Sequence, residues 1–270
     1  MPTPPTSLPS YSLQDRVVIV TGGGSGIGRA AALLCAERRA RVAVFDVDGD
    51  SASQVAGLAQ SRGAAAIGIG CDVRIEAEVE RACSQAKAKL GSPYGLVASA
   101  GIDIGGFVHE MPTEAWQQVL ATNLTGVYLA CKYVVRDMIA AGTGGSIVLV
   151  SSPAASVSFA AGMAGAYSAS KGGVSALVRC LAIDYAPNRI RVNAVVPGPT
   201  ETALMWANVG DEEKPAMREK ICAEVPIGRL ADPNEIARPI TWLLSDEASY
   251  VTGSHLICDG GVLAKGCISV

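Results

Sequence analysis

Metal-ligating residues are scarce in this chain. His109 and His255 are the only histidines among 270 residues, and none of the eight cysteines (35, 71, 83, 131, 180, 222, 258 and 267) forms a Cys-x-x-Cys pair. That excludes the ligand spacing of a zinc finger or ribbon, and a large apolar chain has little need of a disulfide framework. Most of the thiols therefore read as small buried hydrophobes in a reducing compartment. Charge of one sign is equally short. The 22 basic and 25 acidic side chains, net −3, are interleaved, with no basic stripe for a nucleic-acid partner. Aromatics make up only 5% of the chain, while 30 glycines and 49% apolar residues describe a tightly packed globular protein of small side chains. Long apolar runs are missing too. The stretch poorest in charge, residues 138–170, is broken by Gly142, Gly144, Gly145 and Pro153, which removes a membrane helix of about 20 apolar residues. Residues 1–12 carry four prolines and no basic side chain, so they read as a disordered lead and not a secretory signal. Cys267-Ile268-Ser269-Val270 matches a prenylation box poorly. The expectation is a cytoplasmic protein with no membrane and no nucleic-acid partner.

What is present alternates. Short β-branched runs at 17–20, 41–45, 65–71, 96–98, 146–150, 191–196 and 255–258 read as strands. Between them, residues 27–39, 75–90, 113–138, 166–185 and 233–244 have helical length and composition. That order is the mark of βαβ units, and continuous apolar strands fit a sheet covered on both faces. No linker or repeat interrupts residues 13–262. The spacing predicts one doubly wound, Rossmann-type α/β domain over 13–270, a parallel seven-stranded sheet flanked by helices on both faces. In the helix at 166–185, only Lys171 and Arg179 are charged before Asp184. A helix apolar nearly all round must be covered on most sides, either within the domain or by another subunit.

Directly after the first strand comes Thr21-Gly22-Gly23-Gly24-Ser25-Gly26-Ile27-Gly28, opening a helix. Glycines let the backbone approach a pyrophosphate, and free N–H groups at the helix start face the anion. Asp46 closes the second strand, placed to accept both hydroxyl protons of the adenosine ribose and to repel a 2′-phosphate, which favours NAD over NADP. No Gly-Lys-Ser/Thr follows, so a phosphoryl-transfer cradle is excluded. Tyr167 and Lys171 lie one turn apart on one predicted helix. A free phenol, with a pKa of about 10, is a poor base at neutral pH. A neighbouring ammonium and a positive nicotinamide ring stabilise the phenolate, and the pair then exchanges a proton with a substrate oxygen. Ser151 and Ser152 sit at the carboxyl end of the fifth strand, where ligands bind in open α/β sheets.

These motifs, with Asp72-Val73, Asn123, Pro197-Gly198 and Asp259-Gly260-Gly261 in order, resemble the short-chain dehydrogenase/reductase family across residues 13–262. The resemblance implies a catalytic tetrad of Asn123, Ser152, Tyr167 and Lys171. Tyr167 would be the acid/base, Ser152 would hold the substrate oxygen, Lys171 would lower the phenol pKa and grip the nicotinamide ribose, and Asn123 would anchor a water relay. For the cofactor, it implies Gly22, Ser25, Gly26, Ile27 and Gly28 at the pyrophosphate, and Asp46 at the adenosine ribose. Asp72 and Val73 would meet the adenine, and Ser99, Ala100 and Gly101 the dinucleotide at the fourth strand's end. Thr200 and Thr202, after Pro197 and Gly198, would fix the carboxamide. The family's tetramers, built through long central helices and the carboxyl-terminal tail, imply a homotetramer or homodimer. Two departures stand out. Ala98-Ser99-Ala100-Gly101 replaces the family's Asn-Asn-Ala-Gly, so Ser99 replaces only part of a hydrogen-bond network. The stretch from Ser152 to Tyr167 is longer than usual, leaving Ser151 as the alternative serine and a bulge over the substrate.

The segments free to shape a pocket are 102–109, 154–163 and a lid near 199–225. They offer Phe107, Phe159, Met163, Leu204, Met205, Trp206 and Met217, which either touch substrate or pack the lid. Charges from Asp211 to Lys220 read as a solvated helix face, and His109 as a solvated loop residue. The resulting expectation is an NAD-dependent oxidoreductase acting on a medium-sized, mostly apolar secondary alcohol or ketone. A ketoreductase of 3-oxoacyl thioesters is disfavoured by Asp46 and by the missing basic patch. A non-catalytic NAD sensor is disfavoured by the presence of both Tyr167 and Lys171.

Overall fold

A computed structural model describes residues 11–158 and 162–265. Phe159, the lead up to residue 10 and the terminal Cys267-Ile268-Ser269-Val270 lie outside the described residues. The chain runs β1 (Val17–Thr21), α1 (Gly26–Glu37), β2 (Arg41–Asp46), α2 (Gly49–Ser61), β3 (Ala66–Gly70), α3 (Glu76–Leu90) and β4 (Pro93–Ala98). It continues through α4 (Thr113–Leu120), α5 (Gly126–Ala141), β5 (Gly145–Val150), α6 (Gly165–Tyr185), β6 (Ile190–Pro197), α7 (Lys214–Glu224), α8 (Pro233–Leu244) and β7 (His255–Cys258).

All seven strands form one parallel sheet in the order β3-β2-β1-β4-β5-β6-β7. The fold class is the one the alternating pattern predicts. β1 and β5 are buried at every position, because helices cover both faces of the sheet. One core cluster joins the sheet to α3, α5 and α6, and the other joins it to α1, α2 and α8. The strand order reverses between β1 and β4, so the loops after these strands part and leave a crevice at their carboxyl ends.

Two elements differ from the sequence reading. Residues 49–61 carried no prediction, yet they form α2, capped by the Asp48 carboxylate, which accepts from the Asp50 and Ser51 N–H groups. Its buried residues, Ala52, Val55, Ala56 and Ala59, have helical spacing but are too small to stand out in a Gly/Ser-rich sequence. The stretch 113–138 is not one helix. A π-helical turn, Ala121–Thr125, separates α4 from α5, with the Gly126 N–H donating to the Ala121 carbonyl. Four thiols, at Cys35, Cys71, Cys83 and Cys131, are buried as expected, and burial pushes each up to about 12. Cys180 departs from that expectation and is exposed.

Candidate active site

The glycine turn is built by two contacts that admit no side chain. Gly22 holds φ +63°, where a Cβ would lie 2.6 Å from the Ala100 Cα, and a Cβ on Gly28 would lie 2.1 Å from the Gly22 carbonyl oxygen. α1 therefore starts tight against β1 and the loop after β4. Ser25, at its N-cap, makes no side-chain cap bond, and the first turn holds no acidic residue. The N–H groups there are left open to an anion. The Asp46 carboxylate accepts from the Gly24 N–H at 2.9 Å and the Asp48 N–H at 3.0 Å. Each oxygen keeps a lone pair for a further donor. The open N–H groups and the Asp46 oxygens fit the phosphates and a ribose of a dinucleotide.

Around the turn, Asp72 is gripped through both oxygens by the Arg74 guanidinium, at 2.5 to 3.0 Å, which holds its carboxyl below the usual range. Arg74 was not singled out by the sequence. Val73 is buried where α5 begins. Ala98 is packed into the core, and the strand ends are tied by Thr21: its carbonyl accepts from the Ser99 N–H at 3.2 Å, and its hydroxyl from the Ala100 N–H at 3.4 Å. After β6, Pro197 and Gly198 lead into Thr200, whose hydroxyl donates to the Gly198 carbonyl at 2.9 Å, and Thr202, which comes over Gly26.

At the end of β5, the two serines diverge. The Ser151 hydroxyl lies 2.8 Å from that of Ser175 and 3.4 Å from the Lys171 carbonyl oxygen, turned toward α6. Ser152 accepts from the Ala154 N–H at 3.2 Å and lies close enough to the Tyr167 hydroxyl to favour its ionised form. Lys171 is buried, donates to the Val150 carbonyl at 2.8 Å, and lies 5.5 Å from the Tyr167 ring centroid. An ammonium has three donors, so two remain for the cleft. Burial pulls Lys171 down to about 8. It pushes Tyr167 up to about 12, with Ser152 lowering and the Asp103 charge raising it. In the protein alone, then, the phenol moves opposite to the acidification expected from Lys171.

Asn123 sits in the π-helical turn, fully buried. Its carbonyl accepts from the Ile102 N–H at 2.8 Å, and its amide donates to the Ile102 carbonyl at 2.8 Å and to the Ser170 hydroxyl at 3.1 Å. Ser170 in turn donates to the Tyr167 carbonyl at 2.7 Å. A Cβ on Gly101 would lie 3.4 Å from Asn123 Oδ1 and 3.8 Å from Lys171 Nζ, which places all three residues together.

Asp103 is the group that sequence reasoning passed over. It is half-buried, its Oδ1 is fully buried without a hydrogen-bond partner, and its charge is felt at the Tyr167 hydroxyl. The only sequence signal was a lone carboxylate in the otherwise apolar run Ile102 to Ile104.

In the lid, the Trp206 indole N–H donates to Glu201 at 2.7 Å, and Arg218 pairs with Glu201 while lying 5.4 Å from the Trp206 ring centroid. Arg218 is nonetheless half exposed, and Lys214 pairs with Asp211, so both keep to the solvated face expected of this helix. His109 is exposed beside Glu110. An open hollow of about 520 Å³ lies between residues 106–108, 154–158 and 162–165. It reaches Ser168 but neither Ser152 nor Tyr167.

Residues 22–263 match the family model described as enoyl-(acyl carrier protein) reductase. The chain is 43% identical over 251 residues to cis-4-hydroxycyclohexanecarboxylate dehydrogenase of Sinomonas cyclohexanicum, covering 93% of this chain and 97% of that protein. It is 39% identical over 256 residues to 2-(S)-hydroxypropyl-CoM dehydrogenase 3 of Xanthobacter autotrophicus, covering 94% and 99%. Among solved structures, a short-chain type dehydrogenase/reductase from Mycobacterium marinum superposes with a TM-score of 0.89 at 32% identity, over 94% of this chain and 98% of that one.

Proposed function

The chain belongs to the short-chain dehydrogenase/reductase family, oxidoreductases that use a nicotinamide cofactor, and from that premise we propose that it is an NAD-dependent dehydrogenase of a medium-sized secondary alcohol. The observation that carries the reading is the meeting of Ser152, the Tyr167 phenol and the buried Lys171, whose Nζ lies 5.5 Å from the Tyr167 ring centroid, at the carboxyl end of β5. Both named relatives are dehydrogenases of hydroxy compounds, which supports CH–OH as the reacting group.

The residues that would hold the dinucleotide are those of the turn (Gly22, Ser25, Gly26, Ile27, Gly28), Asp46, Asp72 and Val73, the strand-end Ser99, Ala100 and Gly101, and Pro197, Gly198, Thr200 and Thr202. When bound, it supplies hydride acceptance and donation at the nicotinamide C4. Tyr167 holds the proton that leaves or joins the substrate oxygen. With its pKa pushed up to about 12, the phenol is protonated at neutral pH, ready to donate to a carbonyl. Oxidation needs the phenolate, which the Lys171 ammonium and a positive ring at its side stabilise. Ser152 would orient the substrate oxygen toward Tyr167, and the two remaining donors of Lys171 would hold the ribose. The Asn123 side chain is occupied by Ile102 and Ser170. It therefore positions the loop after β4, and a water relay from Lys171 to solvent would use its main chain.

Asp46 favours NAD, since a 2′-phosphate would meet its carboxylate. Among the described residues, no helix is long and apolar enough to cross a membrane, and free cysteines accord with a reducing, cytoplasmic setting. Exposed Ile183 on the weakly charged α6 supports a homotetramer.

The test is Tyr167→Phe, assayed with NAD and NADP against a panel of secondary alcohols. Loss of at least ~10²-fold in kcat is expected, the scale of a general acid–base group, with cofactor affinity kept. Undiminished turnover would remove the mechanism. A clear preference for NADPH would remove the NAD-dependent reading and transfer it to a 3-oxoacyl-thioester ketoreductase.

A further inference from the structure

Asp103 does no structural work that would account for its position. Its Oδ1 is fully buried without a partner, a placement that costs free energy unless something else supplies a donor. Nor does the loop carrying it need the carboxylate to hold its shape. Both main-chain groups of Ile102 are bonded to Asn123 at 2.8 Å, the Gly105 N–H donates to Asn208 of the lid at 3.3 Å, and the Gly106 N–H donates to the Met163 carbonyl at 2.9 Å. The side chain is thus carried on a span fixed at both ends, between the Asn123 frame and the lid.

Its charge also opposes the proposed chemistry. A carboxylate near the Tyr167 hydroxyl raises the phenol pKa, which disfavours alcohol oxidation. A group that neither stabilises the fold nor assists proton removal has its remaining use in binding. We infer that Asp103 is a specificity-determining residue whose carboxylate accepts a hydrogen bond from a second hydroxyl of the substrate, within one or two carbons of the carbinol that Tyr167 and Ser152 engage. The inference rests on the dehydrogenase reading and deepens it: the mostly apolar alcohol is a diol. A neutral donor fits better than an ammonium, because the Lys171 cation already lies against the Tyr167 ring and a positive nicotinamide would be added when the cofactor binds. The neighbouring side chains, Ile102 and Ile104, offer no other acceptor for such a hydroxyl.

The experiment is calorimetric binding to the NAD-loaded protein of cyclohexane-1,2-diol, cyclohexane-1,3-diol, cyclohexanol and 2-aminocyclohexanol, with NADH formation recorded in parallel. A hydrogen bond to a charged acceptor is worth about 10-fold or more in an equilibrium constant. One of the diols should therefore bind the wild-type protein tighter than cyclohexanol by at least that factor. Asp103→Ala should reduce the advantage to about 2-fold or less, and Asp103→Asn, whose amide oxygen is a neutral acceptor, should keep an intermediate share. Asp103→Asn should also move the rising limb of the pH–rate profile for oxidation to lower pH, because it removes the charge that raises the phenol. Equal or absent binding of diols and cyclohexanol by the wild type overturns the inference, as does a diol advantage that survives Asp103→Ala. Tighter binding of the amino alcohol overturns the assignment to a hydroxyl. Should Asp103→Ala fail to fold, the wild-type ratio and Asp103→Asn decide the matter. Failure of the dehydrogenase reading looks different: the diol binds selectively and no NADH forms.

Discussion

Ser151 and Ser152 are identical in chemistry and adjacent in sequence, and their surroundings separate them. Successive side chains leave an extended backbone on opposite sides. Ser151 turns to Ser175 and the Lys171 carbonyl, within the packing of α6 on β5 and β6. Ser152 turns to the Tyr167 hydroxyl and caps the short turn Pro153–Ala155 through the Ala154 N–H at 3.2 Å. Ser152→Ala should cost about 10²-fold in kcat/KM, by removing the group that orients the substrate oxygen for proton exchange. Ser151→Ala should leave turnover within about 2-fold and lower stability by about 1 kcal/mol, the ordinary worth of one buried hydrogen bond. Steady-state kinetics and denaturant unfolding on both variants separate the two roles. A reversed pattern would assign the reacting serine to position 151.

At the scale of elements, the π-helical turn between α4 and α5 sets the site's framework. One extra residue in the helical register swings Asn123 inward, where it satisfies Ile102 on both main-chain groups and reaches Ser170 on α6. Asn123→Ala would leave buried partners unpaired on two different elements. Stability should fall by about 2 kcal/mol or more. Turnover should fall with it, because the loop from Ile102 to Gly106 loses its anchor, and thermal unfolding alongside kcat checks both. That turn was not legible in the sequence. Periodicity over 113–138 supports a single helix, and an inserted residue leaves no mark of composition. The strands were legible because a sheet covered on both faces makes continuous apolar runs such as Val17 to Val20, and turn chemistry delimits them. The glycine turn and Tyr167 with Lys171 were legible because strand–turn–helix order and helical spacing are local facts. α2 was obscured by small residues, and Arg74 by lying one residue past the motif. Asp103 was hidden for a different reason: what sets it apart, the missing partner and the nearby phenol, arises only when elements distant in sequence are brought together.

Across the whole molecule, the two covered faces of the sheet differ in what they leave over. α1, α2 and α8 close one face and leave Leu58 of α2 exposed. On the other, α5 and α6 bury their inner sides yet keep Tyr128, Ile139 and Ile183 exposed, with Ile183 at 74%. At the edge of the sheet beside β6, the four-residue β7 carries an exposed Ile257, and Tyr250 before it is fully exposed. An edge strand with apolar neighbours invites pairing with a second copy, and soluble homo-oligomers close by two-fold symmetry, so each contact is made twice. The proposed homotetramer uses these surfaces. Ile183 is the side chain with which to test them, because it is so little covered by its own protomer. Burying one isoleucine is worth about 1.5–3 kcal/mol, hence about 3 kcal/mol or more for a symmetric pair. Ile183→Glu removes that contribution and places two like charges together, so the dissociation constant of the affected interface should rise by at least ~10²-fold. Sedimentation velocity over a range of protein concentrations would then show a tetramer in the wild type and a smaller species in the variant, with an unchanged circular dichroism spectrum. A wild-type protein that sediments as a monomer at micromolar concentration removes the assembly. The weakly charged outer side of α6 would then need a different partner.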